Sequence, residues 1–224
     1  MTMQQRLKFL GLMGLGALVA CQSKAQTVPT LDHLEEALEA IWTSEQTPIR
    51  SRDSLIDLYG VDHELVQAQQ MIYEGNHAEN ERQVKAILDT YGWPSAENAG
   101  ERGNWTLCNV IQHAENEVRL AYLPLMRQAV TEGKLEPRFL ARAEDRIATE
   151  RGDLQLYGGQ MKYYPETQSF NVWPVYDPAN VDARRAAIGL GPIAEHLKQR
   201  FDFEWDLEEQ IRRSEEFERA KAEQ

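Results

Sequence analysis

The chain has 224 residues, with 24 Lys and Arg against 36 Asp and Glu and a formal net charge of −12. That charge excludes a surface built for nucleic acid or for anionic lipid, since either polyanion would be repelled. An apolar share of 42% is too high for a disordered chain, and two cysteines cannot staple a disulfide scaffold. The length suits one domain with terminal extensions.

At the N-terminus, Arg6 and Lys8 precede an apolar run from Phe9 to Ala20, which has the length of a signal-peptide core and is too short to span a bilayer. The run ends in Leu18-Val19-Ala20-Cys21, which resembles the lipobox of bacterial lipoproteins. The resemblance implies a signal peptide over residues 1–20, cut before Cys21, with Cys21 carrying palmitate or related acyl chains. The membrane is then a partner through this lipid. The plainer alternative is an ordinary secretory signal with a chance cysteine. Loss of Arg6 and Lys8 leaves 22 basic residues against 36 acidic ones, a balance of −14. Gln22 after the cysteine resembles the sorting signal for the outer membrane. The expected address is the cell envelope, on the periplasmic face of the outer membrane in a Gram-negative cell. Residues 21–30 read as a tether, and Cys108, left without a partner, is expected to be buried and inert.

Along the body, Leu31, Leu34, Leu38 and Ile41 repeat at helical spacing, with Glu35, Glu36 and Glu39 outside. Pro48 predicts a break, with helix resuming from Ser51 to Tyr59. A helix from Asp62 to Tyr73 should end at Gly75, and another from Asn80 to Tyr91 should stop at Gly92-Trp93-Pro94. Ser95 to Gly103 reads as a polar loop, Asn104 to Val130 as one long helix, and Pro137 to Gly152 as the next. From Leu154 to Val175, Tyr, Val, Phe and Trp dominate, with Pro165-Glu166-Thr167 dividing two extended segments. Asp177-Pro178 opens a helix that ends at Gly189, Pro192 opens another, and the tail from Glu204 reads as a solvated charged helix. The expected fold is mainly α: a single helical domain over residues 31–201 with one small β-hairpin or extended lobe near 154–175. A charged C-terminal tail helix follows over 202–224.

Several short landmarks punctuate this body: Glu45-Gln46 with Arg50, Tyr91-Gly92-Trp93-Pro94, Ile111-Gln112-His113-Ala114 and Asp145-Arg146. They continue with Gln155-Leu156-Tyr157-Gly158-Gly159-Gln160 and with Asp182-Ala183-Arg184-Arg185 before Gly189-Leu190. From Leu31 to about Phe201 their order resembles an uncharacterised bacterial family, one of the domains of unknown function. Glu45 and Gly159 stand where that pattern has Asp and Thr. The resemblance implies a shared fold and a cluster of polar residues, and no activity.

The segment from Asn104 is apolar on two sides, as a central helix is. Its second side carries Asn109, Gln112, His113 and Asn116 at i, i+3, i+4 and i+7, bracketed by Trp105, Leu120 and Leu123. Polar groups so placed must be hydrogen-bonded or face a cavity. His113 is either a general acid or base, or a core histidine held by Gln112 or a backbone carbonyl. Asp145 either orients His113, with Arg146 gripping an anionic group, or forms a structural ion pair. Gln155 and Gln160 flank Tyr157 and two glycines, which suits either close approach to a ligand or a bulge. Arg184 and Arg185 point apart, so at most one of them faces a pocket.

The candidate site is therefore His113 and Asp145 as catalytic groups, with Gln112, Arg146, Gln155, Tyr157, Gln160 and Arg184 binding. No GxSxG elbow, phosphate loop or HExxH helix occurs, and no histidine pair has zinc-like spacing, so neither cofactor nor metal is expected. Two functions compete. One is an envelope hydrolase or transferase acting on a small polar or anionic substrate through His113, with Asp145 or Glu45 within hydrogen-bond reach of that ring and a concave pocket beside it. The other is a non-catalytic ligand-binding or assembly lipoprotein whose polar cluster braces the core, with an exposed apolar patch for which Trp173 and Trp205 are candidates.

Overall fold

The computed structural model describes residues 28–223, so the leader, Cys21 and most of the tether lie outside the described residues. The chain is mainly helical, with one two-stranded antiparallel sheet among the described residues. Helices α1 (Leu34–Tyr59) and α2 (Glu64–Tyr91) form a long hairpin joined by a short loop at Gly60. Helix α3 (Ala96–His113) lies against both. Helices α4 (Asn116–Thr131) and α5 (Pro137–Glu150) pack on each other, and both touch α3. Their shared core joins Leu34, Leu38 and Ile41 of α1 to Val84 and Ile87 of α2, Leu107 and Ile111 of α3, and Met126 of α4.

A second, smaller core lies beneath the hairpin of β1 (Met161–Tyr164) and β2 (Ser169–Val172). There Val172 and Val175 pack against Val181 of α6 (Val181–Ala187) and Ile193 and Leu197 of α7 (Ile193–Phe201). Helix α8 (Leu207–Ala222) closes this lobe, so the tail is not free in solvent. Gln210 donates to Asn171 Oδ1 at 3.0 Å, and the Ser214 hydroxyl donates to the Val175 carbonyl at 2.8 Å. Trp173 and Trp205 are half-buried here, with Trp173 edge-on to Phe217, and they form no exposed patch.

Four local expectations are corrected. Pro48 does not divide α1. Proline removes the N–H that would reach the carbonyl four residues back, that of Ser44, and Asn76 Nδ2 from α2 donates to that oxygen instead at 2.8 Å. Gly75 does not end a helix. It lies inside α2 with ordinary helical torsions, because the tertiary pairing with α1 outweighs a propensity cost of about 1 kcal/mol. The segment 95–103 is not a loop: α3 begins at Ala96 and bends at Gly100, whose φ is 74°.

The long helix from Asn104 to Val130 is in fact two. Ala114 and Glu115 are extended, and the carbonyls freed at the end of α3 are taken by guanidiniums. Buried Arg119 donates to Gln112 O at 3.0 Å and also to Ala114 O, while Arg146 donates to Gln112 O at 2.8 Å. Periodicity could not reveal this break, because apolar spacing continues across it. As a result His113 stands at a helix end and is exposed, not sealed in mid-helix.

Candidate functional site

Three helices converge on a buried carboxylate. On α1, Glu45 follows Leu38 and Ile41 at i+7 and i+4, so helix geometry carries it into the inward row, where it is fully buried. On α2, Tyr73, His77 and Asn80 extend backwards the row that Val84 and Ile87 continue into the core. His77 Nδ1 lies 3.0 and 3.3 Å from the two Glu45 oxygens. Asn80 Nδ2 donates to Glu45 at 3.0 Å, and Asn109 Nδ2 from α3 at 3.5 Å. A buried carboxylate is tolerated only with such partners.

Around His77 the site is layered. Tyr73 stacks on its ring with centroids 5.6 Å apart, and His113 meets it edge-on at 6.4 Å. With Nδ1 turned to Glu45, His77 Nε2 is buried and has no hydrogen-bond partner among the described residues. The two imidazoles are driven in opposite directions. The hydrogen bond that His77 donates to the Glu45 carboxylate raises its pKa above the usual histidine value. Desolvation, followed by the nearby charges of Arg146, Arg142 and His77, lowers His113 to about 4. At neutral pH His113 is thus an uncharged base, beside a histidine that holds its proton more firmly than usual.

The positive charge near His113 comes from α5, where Arg138, Arg142 and Arg146 recur every fourth residue along one face. This row leads from the histidine pair into a cavity of about 320 Å³ walled by Trp105, Phe139, Arg142, Tyr157, His196 and Arg200. A larger, open furrow of about 1630 Å³ beside α1 is lined by Glu35, Glu36, Glu39 and Glu101 and touches neither histidine.

The other residues singled out in the sequence do a different job. Asp145 is fully buried, and its oxygens accept from the backbone N–H groups of Leu156, Tyr157 and Gly159, each at 2.8 Å. It does not hydrogen-bond His113. Burial lifts its carboxyl to about 6, although these three donors pull the other way. Gln155 Nε2 donates to Gln160 O at 3.0 Å and to Trp173 O at 2.6 Å, while its Oε1 accepts from Gln160 N at 2.8 Å. Arg184 Nε donates to Leu156 O at 3.1 Å, and Arg185 Nη1 to Tyr157 O at 2.7 Å. Asp145 thus ties the loop 155–160 to α5, while Arg184 and Arg185 tie it to α6.

Gly158 is obligatory in that loop. Its φ is +78°, and a Cβ there would lie 2.0 Å from Ile193 Cδ1. Gln112 is buried and donates to Phe139 O at 3.3 Å. Of the eight residues expected at one site, only Asp145 and Tyr157 line the cavity, in company with Gly159. Gln112, Gln155 and the Gln160 backbone are internal struts, and His113 and Arg146 belong with Glu45 and His77.

Sequence reasoning missed Tyr73, His77 and Asn80, and placed Asn109 only in the polar stripe. A signal existed: Glu45, His77 and Asn80 each interrupt an apolar row at helical spacing. Among the described residues no group of three or more His, Cys, Asp or Glu side chains could hold a metal ion, and no helix is long and apolar enough to cross a membrane. Cys108 is buried and forms no disulfide among the described residues, and its thiol is pushed well up by desolvation.

The fold and the site define a mainly α domain with a histidine pair held over a buried glutamate. The chain belongs to the family of unknown function DUF6624, whose profile matches residues 40–204. No curated protein and no solved structure matches it.

Proposed function

We propose that the chain is a lipid-anchored cell-envelope protein whose domain performs acid–base catalysis, as a hydrolase or transferase, on a small anionic substrate. The observation that carries this reading is the meeting of His77 and His113 with proton affinities displaced in opposite directions. Groups tuned apart in this way divide the roles of acid and base between them. His77, oriented through Nδ1 by Glu45, is the acid, and its Nε2, buried in the free protein, passes the proton on only once the substrate side of the ring opens. His113, uncharged and solvent-accessible, removes one from an attacking hydroxyl or water. An anion drawn to Arg142 and Arg146 offsets the repulsion that keeps His113 weakly basic, so binding of substrate itself strengthens the base. The envelope address rests on Leu18-Val19-Ala20-Cys21.

The non-catalytic reading draws on the loop clamp, where Asp145, Gln155 and Arg184 commit their polar atoms to backbone groups. Mass spectrometry of small-molecule extracts incubated with the protein separates the two. Compounds consumed by wild type and spared by His113→Gln and His77→Gln are expected. Equal consumption by folded variants, or binding without any consumption, would overturn catalysis.

A further inference from the structure

We propose that the cavity between α5 and α7 binds the phosphate group of a small organic phosphate. The proposal deepens the reading above by naming a substrate class, and rests on it only in that Arg142 reaches both the cavity and His113.

The charge of the cavity runs against that of the chain. On a protein of net charge −12, its walls carry Arg138, Arg142, Arg185 and Arg200 against one carboxylate, Asp145. That carboxylate is already occupied by three backbone N–H groups. Arg138 pairs with Glu136 at 2.9 Å outside the cavity. Arg142, Arg185 and Arg200 have no carboxylate within ion-pair distance among the described residues, although acidic side chains outnumber basic ones over the chain. Arg185 is partly engaged by the carbonyls of Gly191 and Tyr157, both at 2.7 Å.

These cations repel one another. Desolvation, then Arg200 and Arg146, lowers the pKa of Arg142; desolvation, then Arg185 and Arg200, lowers that of His196. Like charges gathered beside a partly apolar wall of Trp105, Phe139 and Leu190 raise the energy of the empty site, and a bound anion relieves it. Two free guanidiniums and a third in part call for a doubly charged oxyanion with oxygens in several directions, as a phosphate monoester presents. The volume, about 320 Å³, is at the small end of ligand sites of about 300–1,000 Å³ and leaves room for a modest organic body against Trp105.

The test is a thermal melt of the full chain in detergent, titrated with inorganic phosphate at constant ionic strength set by chloride. Millimolar phosphate is expected to raise the melting temperature by several degrees. Arg142→Gln and exposed Arg200→Gln should each weaken apparent binding about tenfold, the scale of one lost charge-assisted contact. Arg142→Lys, which keeps the charge, guards against a folding defect. His113→Gln should retain the phosphate shift, so unchanged turnover in that variant with retained binding would count against the catalytic reading alone. No shift at 20 mM phosphate, an undiminished shift in both arginine variants, or an equal shift with succinate would overturn the proposal.

Discussion

Asn76 Nδ2 lies 2.8 Å from the Ser44 carbonyl, the oxygen that Pro48 leaves without a helical partner. One side chain of α2 thus repairs α1 one residue before Glu45, and its neighbour His77 meets that glutamate. Asn76→Ala should cost about 1–3 kcal/mol by leaving the carbonyl unpaired. Pro48→Ala restores the helical donor, so it should destabilise far less in the Asn76→Ala background than in wild type. Chemical denaturation of the four proteins in a double-mutant cycle measures the coupling. Additive effects would show that the bond does not repair the helix.

Titration of the histidine side chains by NMR should place His113 near 4 and His77 above the ordinary histidine value. Glu45→Gln should bring His77 down, because the carboxylate that favours its charged form is gone. The stability effects have opposite signs. His113 binds its proton more weakly folded than unfolded, so it lowers stability as the pH falls from about 6.5 to 4, and His113→Gln should flatten that slope. The contribution of His77 is complete below about 6.5 and fades as the pH rises through its folded value, so His77→Gln should be most destabilising on the acid side.

Asp145→Ala should act on stability before anything else. It removes the acceptor of three backbone N–H groups in the 156–159 loop. A buried unpaired N–H costs about 1–3 kcal/mol, and water entering from the adjoining cavity offsets part of the total. A loss of about 2–4 kcal/mol in urea unfolding is the expected outcome. An unchanged midpoint would mean that the loop keeps its shape without the clamp.

Trp93 is 3% exposed, and its Nε1 donates to Asn104 Oδ1 at 2.6 Å, joining the end of α2 to α3. Trp93→Ala should cost about 3–5 kcal/mol, combining a cavity with a stranded amide. Melting within a degree of wild type would show that the turn does not depend on it.

Cys21→Ser should leave an uncleaved precursor without lipid, read as a mass increase and loss from the detergent phase. Wild-type protein washed from membranes by salt alone would contradict the proposed anchor.

The sequence by itself determined the helical class, the hairpin between Met161 and Val172, and most stops, because apolar spacing and the Pro and Gly signals act over a few residues. Pro137, Gly152, Asp177-Pro178 and Gly189 mark real element ends for that reason. Only the tertiary structure decided whether a local breaker breaks. Pro48 and Gly75 lie within continuous helices, since packing between α1 and α2, and Asn76 in particular, offsets what each local signal costs. Conversely, the chain parts at Ala114 with no breaker present, because Arg119 and Arg146 arrive from α4 and α5 to take the freed carbonyls.

The same division runs through the site. His113 and Arg146 were legible as polar residues at helical positions of interest. Glu45 was legible as a candidate partner, but His77, the residue it holds, was not, because the two stand 32 residues apart in the chain and meet only when two helices fold together. Asp145 and Gln155 looked like the same kind of residue as His113. Their roles differ because backbone N–H and carbonyl groups, which no side-chain pattern reveals, reached them first.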